Sequence, residues 1–291
     1  MNSNDVKKTF EEQGFIGPFK LFEPEGMKQF WRKQRMDLMN EGKSARAVYN
    51  NPVNYDRHLD IEGLSGIISQ EAIVEKLRAI IGDDILCWRT EFFPKNQGDS
   101  GTGWHQVETY SVGENTDGLL EATETKDGMP MELTVWVAMT DATKENGCMK
   151  FIRGSHKQWY YDEKKKLNFN KSLADTTFFG YDYSQAKLDD EWNPDNDDVV
   201  PVEMKAGEFI IFTARCVHGS YPNTSRKQRM GFSIRVVPPH VKVYGNVASF
   251  TALGHEFDTS KHSCVLVSGQ NDYSHNKVAT ENQWGVPFKN L

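Results

Sequence analysis

Over the first eighty residues, apolar positions recur at three- and four-residue spacings, the period of an amphipathic helix, and the boundaries carry capping residues. The pattern predicts a short helix bearing Val6 and Phe10, capped by Asn4 and stopped at Gly14. A second helix opens at Pro24 with Met27, Phe30, Trp31 and Leu38 on one side. A third follows Ser69 with Ile73, Leu77 and Ile80. From Ile85 the period shortens to two. The runs ILCWRTEFF, WHQVETYSV, ELTVWVAMT, GEFIIFTARCV and RMGFSIRVV read as strands between turns rich in Gly, Asp and Asn. Bracing helices followed by many short strands predict a mainly β chain with flanking helices, either a sandwich or a barrel. The polar and aromatic stretch 157–200 reads as an insertion that covers the barrel. We therefore expect one domain over 1–291. It has a helical flank over 1–82, a barrel over 83–240 interrupted by that insertion, and a C-terminal extension over 241–291 whose elements the pattern does not assign.

Composition narrows the function classes. A chain of 291 residues can bury roughly 75% of its unfolded surface, enough for one large core. The net charge of −7 is spread over interspersed acids and bases. There is no basic stripe to track a phosphate backbone, which argues against nucleic acid as a partner. The polar amino terminus lacks the apolar core of a secretory signal, and no run approaches the length of a membrane span. Four separated cysteines, Cys87, Cys148, Cys216 and Cys264, form no CxxC pair and read as reduced core thiols, so a cytoplasmic location is expected.

Of the eight histidines, His156, His240, His255, His262 and His275 lie in polar or turn-like contexts and read as surface or structural imidazoles. His58, in NYDRHLD, is either structural or a hydrogen-bonding group near a substrate mouth. His105 and His218 each lie at one end of a strand-like run. His105 opens the alternation His-Gln-Val-Glu-Thr-Tyr, so residues 105 and 107 face the same side and Glu108 the other. His218 closes FIIFTARCVH, and Arg235 follows in the strand GFSIR. That order is the order of an iron facial site followed by a 2-oxoglutarate anchor, though eight histidines also produce it by chance.

The blocks GFIGPF, NYDRHLD, LCWRTEFFPK, GTGWHQ, LTVWVAMTDA, NGCMKFI, FFGYDY and MKAGEFIIF together resemble the syringomycin-type threonine halogenases, within the phytanoyl-CoA dioxygenase superfamily. The resemblance runs from about Phe10 to about Val237. It implies a double-stranded β-helix (jelly-roll, cupin-like) barrel, Fe(II) on His105 and His218, 2-oxoglutarate as co-substrate, and O2 used to attack an aliphatic C–H bond. It further implies that Arg235 clamps the far carboxylate of 2-oxoglutarate, with Thr102 and Trp136 as additional contacts. Thr134 matches a residue near the halide, with strand filler as its alternative reading. Phe93 and Phe179 match aromatics along the substrate approach, with core packing as theirs.

Position 107 decides the reaction that the resemblance implies. Hydroxylases of the superfamily carry Asp or Glu there; the halogenases carry Ala or Gly, and chloride occupies the vacancy. Val107 cannot coordinate iron and falls on the halogenase side, although its isopropyl group crowds a halide. Val112 stands where the halogenase has a polar residue beside chloride, and Glu108 could serve as a third ligand only if a bulge re-aimed it. The first expectation is chlorination of an amino acid or of an aminoacyl group on an acyl or peptidyl carrier protein, with Lys164 to Lys166 as a candidate basic contact. The second is a hydroxylase, desaturase or oxidative cyclase acting on a free amino-acid-like substrate, with water or Glu108 in the third place. Two others stay open: a binding protein that has lost the chemistry, and a hydroxylase altered at position 107.

Overall fold

The computed structural model describes residues 2–39, 55–111, 118–126, 128–174, 177–245, 248–252 and 255–291. Helix α1 (Ser3–Gln13) starts two residues earlier than expected. Asn2, not Asn4, is the cap, its side-chain oxygen accepting the Asp5 N–H at 2.9 Å. Gly14, with φ of 81°, closes the helix through an N–H donated to the Phe10 carbonyl. α2 (Pro24–Leu38) opens on its proline and buries Met27 and Trp31. A short α3 (Glu62–Ile67) was not anticipated, and α4 (Glu71–Ile81) buries Ile73, Leu77 and Ile80. Among the described residues no helix is long and apolar enough to cross a membrane.

The strands in chain order are β1 (Phe15–Lys20), β2 (Ile85–Lys95), β3 (Leu120–Ala122), β4 (Leu133–Ala138) and β5 (Met149–Ile152). They continue with β6 (Val199–Val202), β7 (Glu208–Phe212), β8 (His218–Ser220), β9 (Arg229–Val237) and β10 (Val241–Val243). The last four are β11 (Ser249–Ala252), β12 (His255–Asp258), β13 (Cys264–Ser268) and β14 (Val278–Ala279). Seven form a large sheet in the order β1-β7-β4-β9-β2-β13-β14, and three form a small one, β6-β5-β8. The two build the expected double-stranded β-helix barrel. Alternation sorts each central strand of the large sheet. Leu133, Val135 and Val137 of β4 join Phe232, Ile234 and Val236 of β9 in a core shared with Leu64, Ile73 and Leu77 of the helices. Thr134, Trp136, Arg229, Ser233 and Arg235 point instead into the barrel.

The structure departs from the pattern in three places. Phe15–Lys20, inside the expected helical flank, is the edge strand β1 paired with β7; its Pro18 is tolerated at an edge. β13, in the unassigned C-terminal stretch, pairs with β2 and so belongs to the barrel. The run WHQVETYSV contributes a single bridge at His105. Beyond it the N–H of Val107 reaches the Ala214 carbonyl, and those of Glu108, Thr109 and Tyr110 all converge on Glu163 Oε1 at 2.6, 2.7 and 3.2 Å. Three donors aimed at one carboxylate oxygen cannot also form a ladder, so the chain turns instead of extending. Glu163 belongs to the insertion, which thereby fixes the loop carrying Tyr110. Replacing it with Ala should cost about 1–3 kcal/mol, the usual loss when partly buried donors lose an acceptor. A urea midpoint unchanged in Glu163→Ala would mean that water takes over all three bonds.

Candidate metal and co-substrate site

A cavity of about 600 Å³ lies between the two sheets. His105 and His218 face it from the small-sheet side, 5% and 6% exposed. Their backbones exchange two hydrogen bonds of 3.1 Å, which brings the ring centroids within 4.1 Å. Each Nδ1 lies beside a carbonyl two residues earlier, Gly103 at 2.9 Å and Cys216 at 2.7 Å. A carbonyl can only accept, so Nδ1 carries the hydrogen and Nε2 keeps its lone pair. Burial pushes His218 down to about 4 and His105 well below its ordinary value; for His105 the neighbouring His218 adds to the effect. At neutral pH both are uncharged imidazoles, the form that binds a metal.

Val107 lines the same cavity, 3% exposed, two residues from His105. Glu108, the conditional third ligand, lies outside it and faces Arg215 Nη1 at 3.7 Å; no bulge re-aims it. Among the described residues no three His, Cys, Asp or Glu side chains are grouped to hold a metal. Val112 lies outside the described residues, as does the His255 side chain. His58 is fully buried against the Thr90 hydroxyl at 2.9 Å and is not part of the cavity wall.

Alternation along β9 puts two arginines on the cavity face. Arg235 is surrounded: Nη1 donates to the Tyr110 hydroxyl, Nη2 lies 3.5 Å from Glu91 Oε2, and Glu132 Oε1 is 3.9 Å away. Thr134 stands on this side and donates its hydroxyl to Glu132 Oε1 at 2.7 Å. Arg229, at the other end, is 3% exposed and makes no hydrogen bond or ion pair with any described residue. Its guanidinium carbon sits 5.2 Å from the Trp136 ring centroid. That indole lies over Gly231, where a Cβ would come within 1.9 Å of it. At Thr102 the hydroxyl oxygen accepts from Ser220 at 3.0 Å and keeps its own hydrogen to give. Trp136 thus stands beside Arg229 and Thr134 opposite Arg235, with Thr102 lining the same cavity. Phe93 and Phe179 face each other at 6.0 Å, and Phe178 of the insertion packs 4.0 Å from the His105 ring. Reading the sequence overlooked Arg229, Lys95, Glu91, Glu132 and Tyr110, although the two-residue period of β9 carries Arg229 onto the same face as Arg235.

Two lone-pair imidazole nitrogens beside a non-coordinating Val107, with an orphaned buried cation in reach of donors, is the donor set of a two-histidine iron site with a carboxylate co-substrate. The profile of the family described as phytanoyl-CoA dioxygenase (PhyH) matches residues 10–231. The chain belongs to that family. The solved structure of CytC3 with Fe(II) and alpha-ketoglutarate is 31% identical, with a TM-score of 0.72, and the match covers 99% of this chain and 97% of CytC3. The dioxygenase olcK of Penicillium canescens is 29% identical over 173 residues, 59% of this chain and 45% of its own length. A probable alpha-ketoglutarate-dependent hypophosphite dioxygenase of Stutzerimonas stutzeri is 23% identical, over 59% of this chain and 52% of its own. The chain therefore spans about half the length of these curated relatives. A nickel complex of the non-heme monooxygenase ThoJ, 21% identical with a TM-score of 0.66, shares the fold. The chain is an oxidoreductase domain of the iron and 2-oxoglutarate kind, and its imidazole pair and free arginine fit both groups.

His58 at about 3 and His218 at about 4 lie below the value of about 6.5 that they regain on unfolding. The unfolded chain then binds more protons, so the stability they confer is present above pH 6.5 and is lost as pH falls toward 4. Metal-free protein should show a urea midpoint that drops from pH 7 to pH 5. A level midpoint would mean that these imidazoles take up protons in the fold as readily as in the unfolded chain. His105→Ala and His218→Ala should each abolish iron retention; full iron occupancy in either variant would remove that histidine from the ligand set.

Proposed function

We propose that the protein uses Fe(II) and 2-oxoglutarate to chlorinate an aliphatic C–H bond of an aminoacyl substrate, as the syringomycin-type halogenases it resembles do. The observation that carries this reading is Val107. It stands where a third protein ligand would be, and Glu91 of the cavity wall and the buried Glu132 are both turned to Arg235. The vacant coordination place needs an anion or water from solution. Iron with 2-oxoglutarate supplies O2 activation and removal of hydrogen from carbon. His105 and His218 lend their Nε2 lone pairs, held in orientation by the Gly103 and Cys216 carbonyls.

The far carboxylate of 2-oxoglutarate sits on Arg229 in this reading, taking the place first expected of Arg235. A guanidinium already matched by Glu91, Glu132 and Tyr110 has little to offer a second anion, whereas an unpaired buried one requires it. Thr102 and the Trp136 indole add hydroxyl and N–H donors in the same cavity. Arg235 instead orders the polar wall behind Thr134, against which chloride would rest. Phe93, Phe178 and Phe179 exclude water from the approach.

Once Arg229 is occupied, no buried unpaired cation apart from Lys95, which lies opposite Arg229 at the same end, remains among the described cavity residues to receive a substrate carboxylate. That favours an acyl group whose carboxylate is tied up as a thioester on a carrier protein over a free amino acid. A second reading, hydroxylation or cyclisation with water in the third place, draws support from the Val107 isopropyl group and from the commitment of the Thr134 hydrogen to Glu132.

Anaerobic titration of the iron and 2-oxoglutarate complex with chloride separates the two. A saturable shift of the charge-transfer band supports chlorination; a band that ignores chloride supports the oxygenase. Val107→Ala should strengthen chloride binding and Val107→Asp abolish it. Arg229→Gln should weaken 2-oxoglutarate binding by about 10- to 100-fold, the worth of a charge-assisted contact, with Arg235→Gln affecting it far less. The opposite ranking would return the anchor to Arg235.

A further inference from the structure

Lys95 ends β2 directly opposite Arg229 in the β2–β9 register. It is 5% exposed and lines the same end of the cavity. Its stem lies in a slot over Gly147, where any Cβ would come within 2.3 Å of the lysine Cδ. The slot holds the ammonium inward, where it donates to the Ser100 carbonyl at 2.5 Å. Among the described residues no carboxylate forms an ion pair with it. The charged groups facing it are Arg229 on β9 and the half-buried Asp99 of the following loop; the Cys148 thiol acts on Arg229 from the β5 side. Two buried cations opposite each other, with the half-buried Asp99 as the one carboxylate acting on both, form a site that is incomplete without a further anion.

We propose that Lys95 is a second cationic anchor for 2-oxoglutarate, holding its far carboxylate jointly with Arg229 and making co-substrate binding proton-linked. The inference rests on the placement of 2-oxoglutarate against Arg229. Arg229 meets the carboxylate with its planar fork, and Lys95 contributes a point charge with donors left after Ser100 is served. Burial and the neighbouring Arg229 bring the Lys95 ammonium down to about 8, with Asp99 opposing them. An arriving carboxylate favours the charged form. Above that value, binding must therefore draw a proton from solution onto Nζ.

Calorimetric titration of the anaerobic Fe(II)-loaded protein with 2-oxoglutarate, run at about pH 8.5 in two buffers of different ionisation enthalpy, reads this directly. Net proton uptake at this pH, fading by about pH 6.5, is the expected result for the unaltered protein and needs no variant. Lys95→Met should remove the uptake and weaken binding by roughly tenfold or more while the charge-transfer band still saturates. Lys95→Arg should restore affinity without the pH dependence, which a purely structural role for the lysine stem would not do. Binding without proton uptake, or Lys95→Met with unchanged affinity and uptake, overturns the role of Lys95 and leaves Arg229 as sole anchor. Absence of 2-oxoglutarate binding in the unaltered protein overturns the co-substrate site itself.

Discussion

Two reciprocal backbone hydrogen bonds between His105 and His218 hold the centre of this molecule together. They join the loop that leaves the large sheet to the edge of the small one, and the approach is close. A Cβ at Gly101 would come within 2.6 Å of the Ser220 carbonyl, and one at Gly219 within 2.7 Å of the Thr102 carbonyl. Glycine at both positions lets the two segments meet without spreading the bridge. Each histidine then orients its own ring by donating Nδ1–H to the carbonyl two residues earlier. The donor geometry is therefore a property of the bridged backbone and needs no third side chain to set it.

Burial forces the second layer of organisation. β9 aims two guanidinium groups into a space from which water is largely removed, and an unpaired charge there is costly. The fold settles one of them internally, through Tyr110, Glu91 and Glu132. It leaves the other against the Trp136 ring, its side chain without a hydrogen bond or ion pair among the described residues. The asymmetry divides one cavity into a neutralised end and an electropositive end. Tyr110 reaches Arg235 because Glu163 holds the loop of residues 108–110 by three N–H groups. The covering insertion thus contributes to the electrostatics of the site as well as to its closure.

Much of this was legible before folding. The strand period put His105 and Val107 on one face, and both line the cavity. The same period sent Glu108 away, where it meets Arg215. Three of the four described helices followed from apolar spacing, the first with its cap misplaced because Asn2 and Asn4 are equally good candidates by type; the short α3 did not. What could not be read was long-range. No local signal says that the donors following Val107 will be taken by a carboxylate more than fifty residues on. Nor does a sequence show which of two like arginines will find counter-charges, since Glu91 and Glu132 reach Arg235 only through the registers of β2 and β4 against β9.

The same charge balance bears on what can occupy the place beside Val107. With both carboxylates ionised, Arg235 is formally outnumbered two to one, and an added halide would deepen the imbalance in a medium that tolerates it poorly. Burial works against that state: it raises Glu132 to about 7, even though Arg235, Thr134 and Tyr110 all favour its ionised form. A neutral Glu132 would bring the cluster to balance and carry a hydrogen of its own, freeing the Thr134 hydroxyl to donate into the cavity it lines. Water asks for neither change, since it can accept from one neighbour and donate to another. In the proposed reading, the proton on Glu132 would bear on the choice between halide and water alongside the volume of the Val107 side chain.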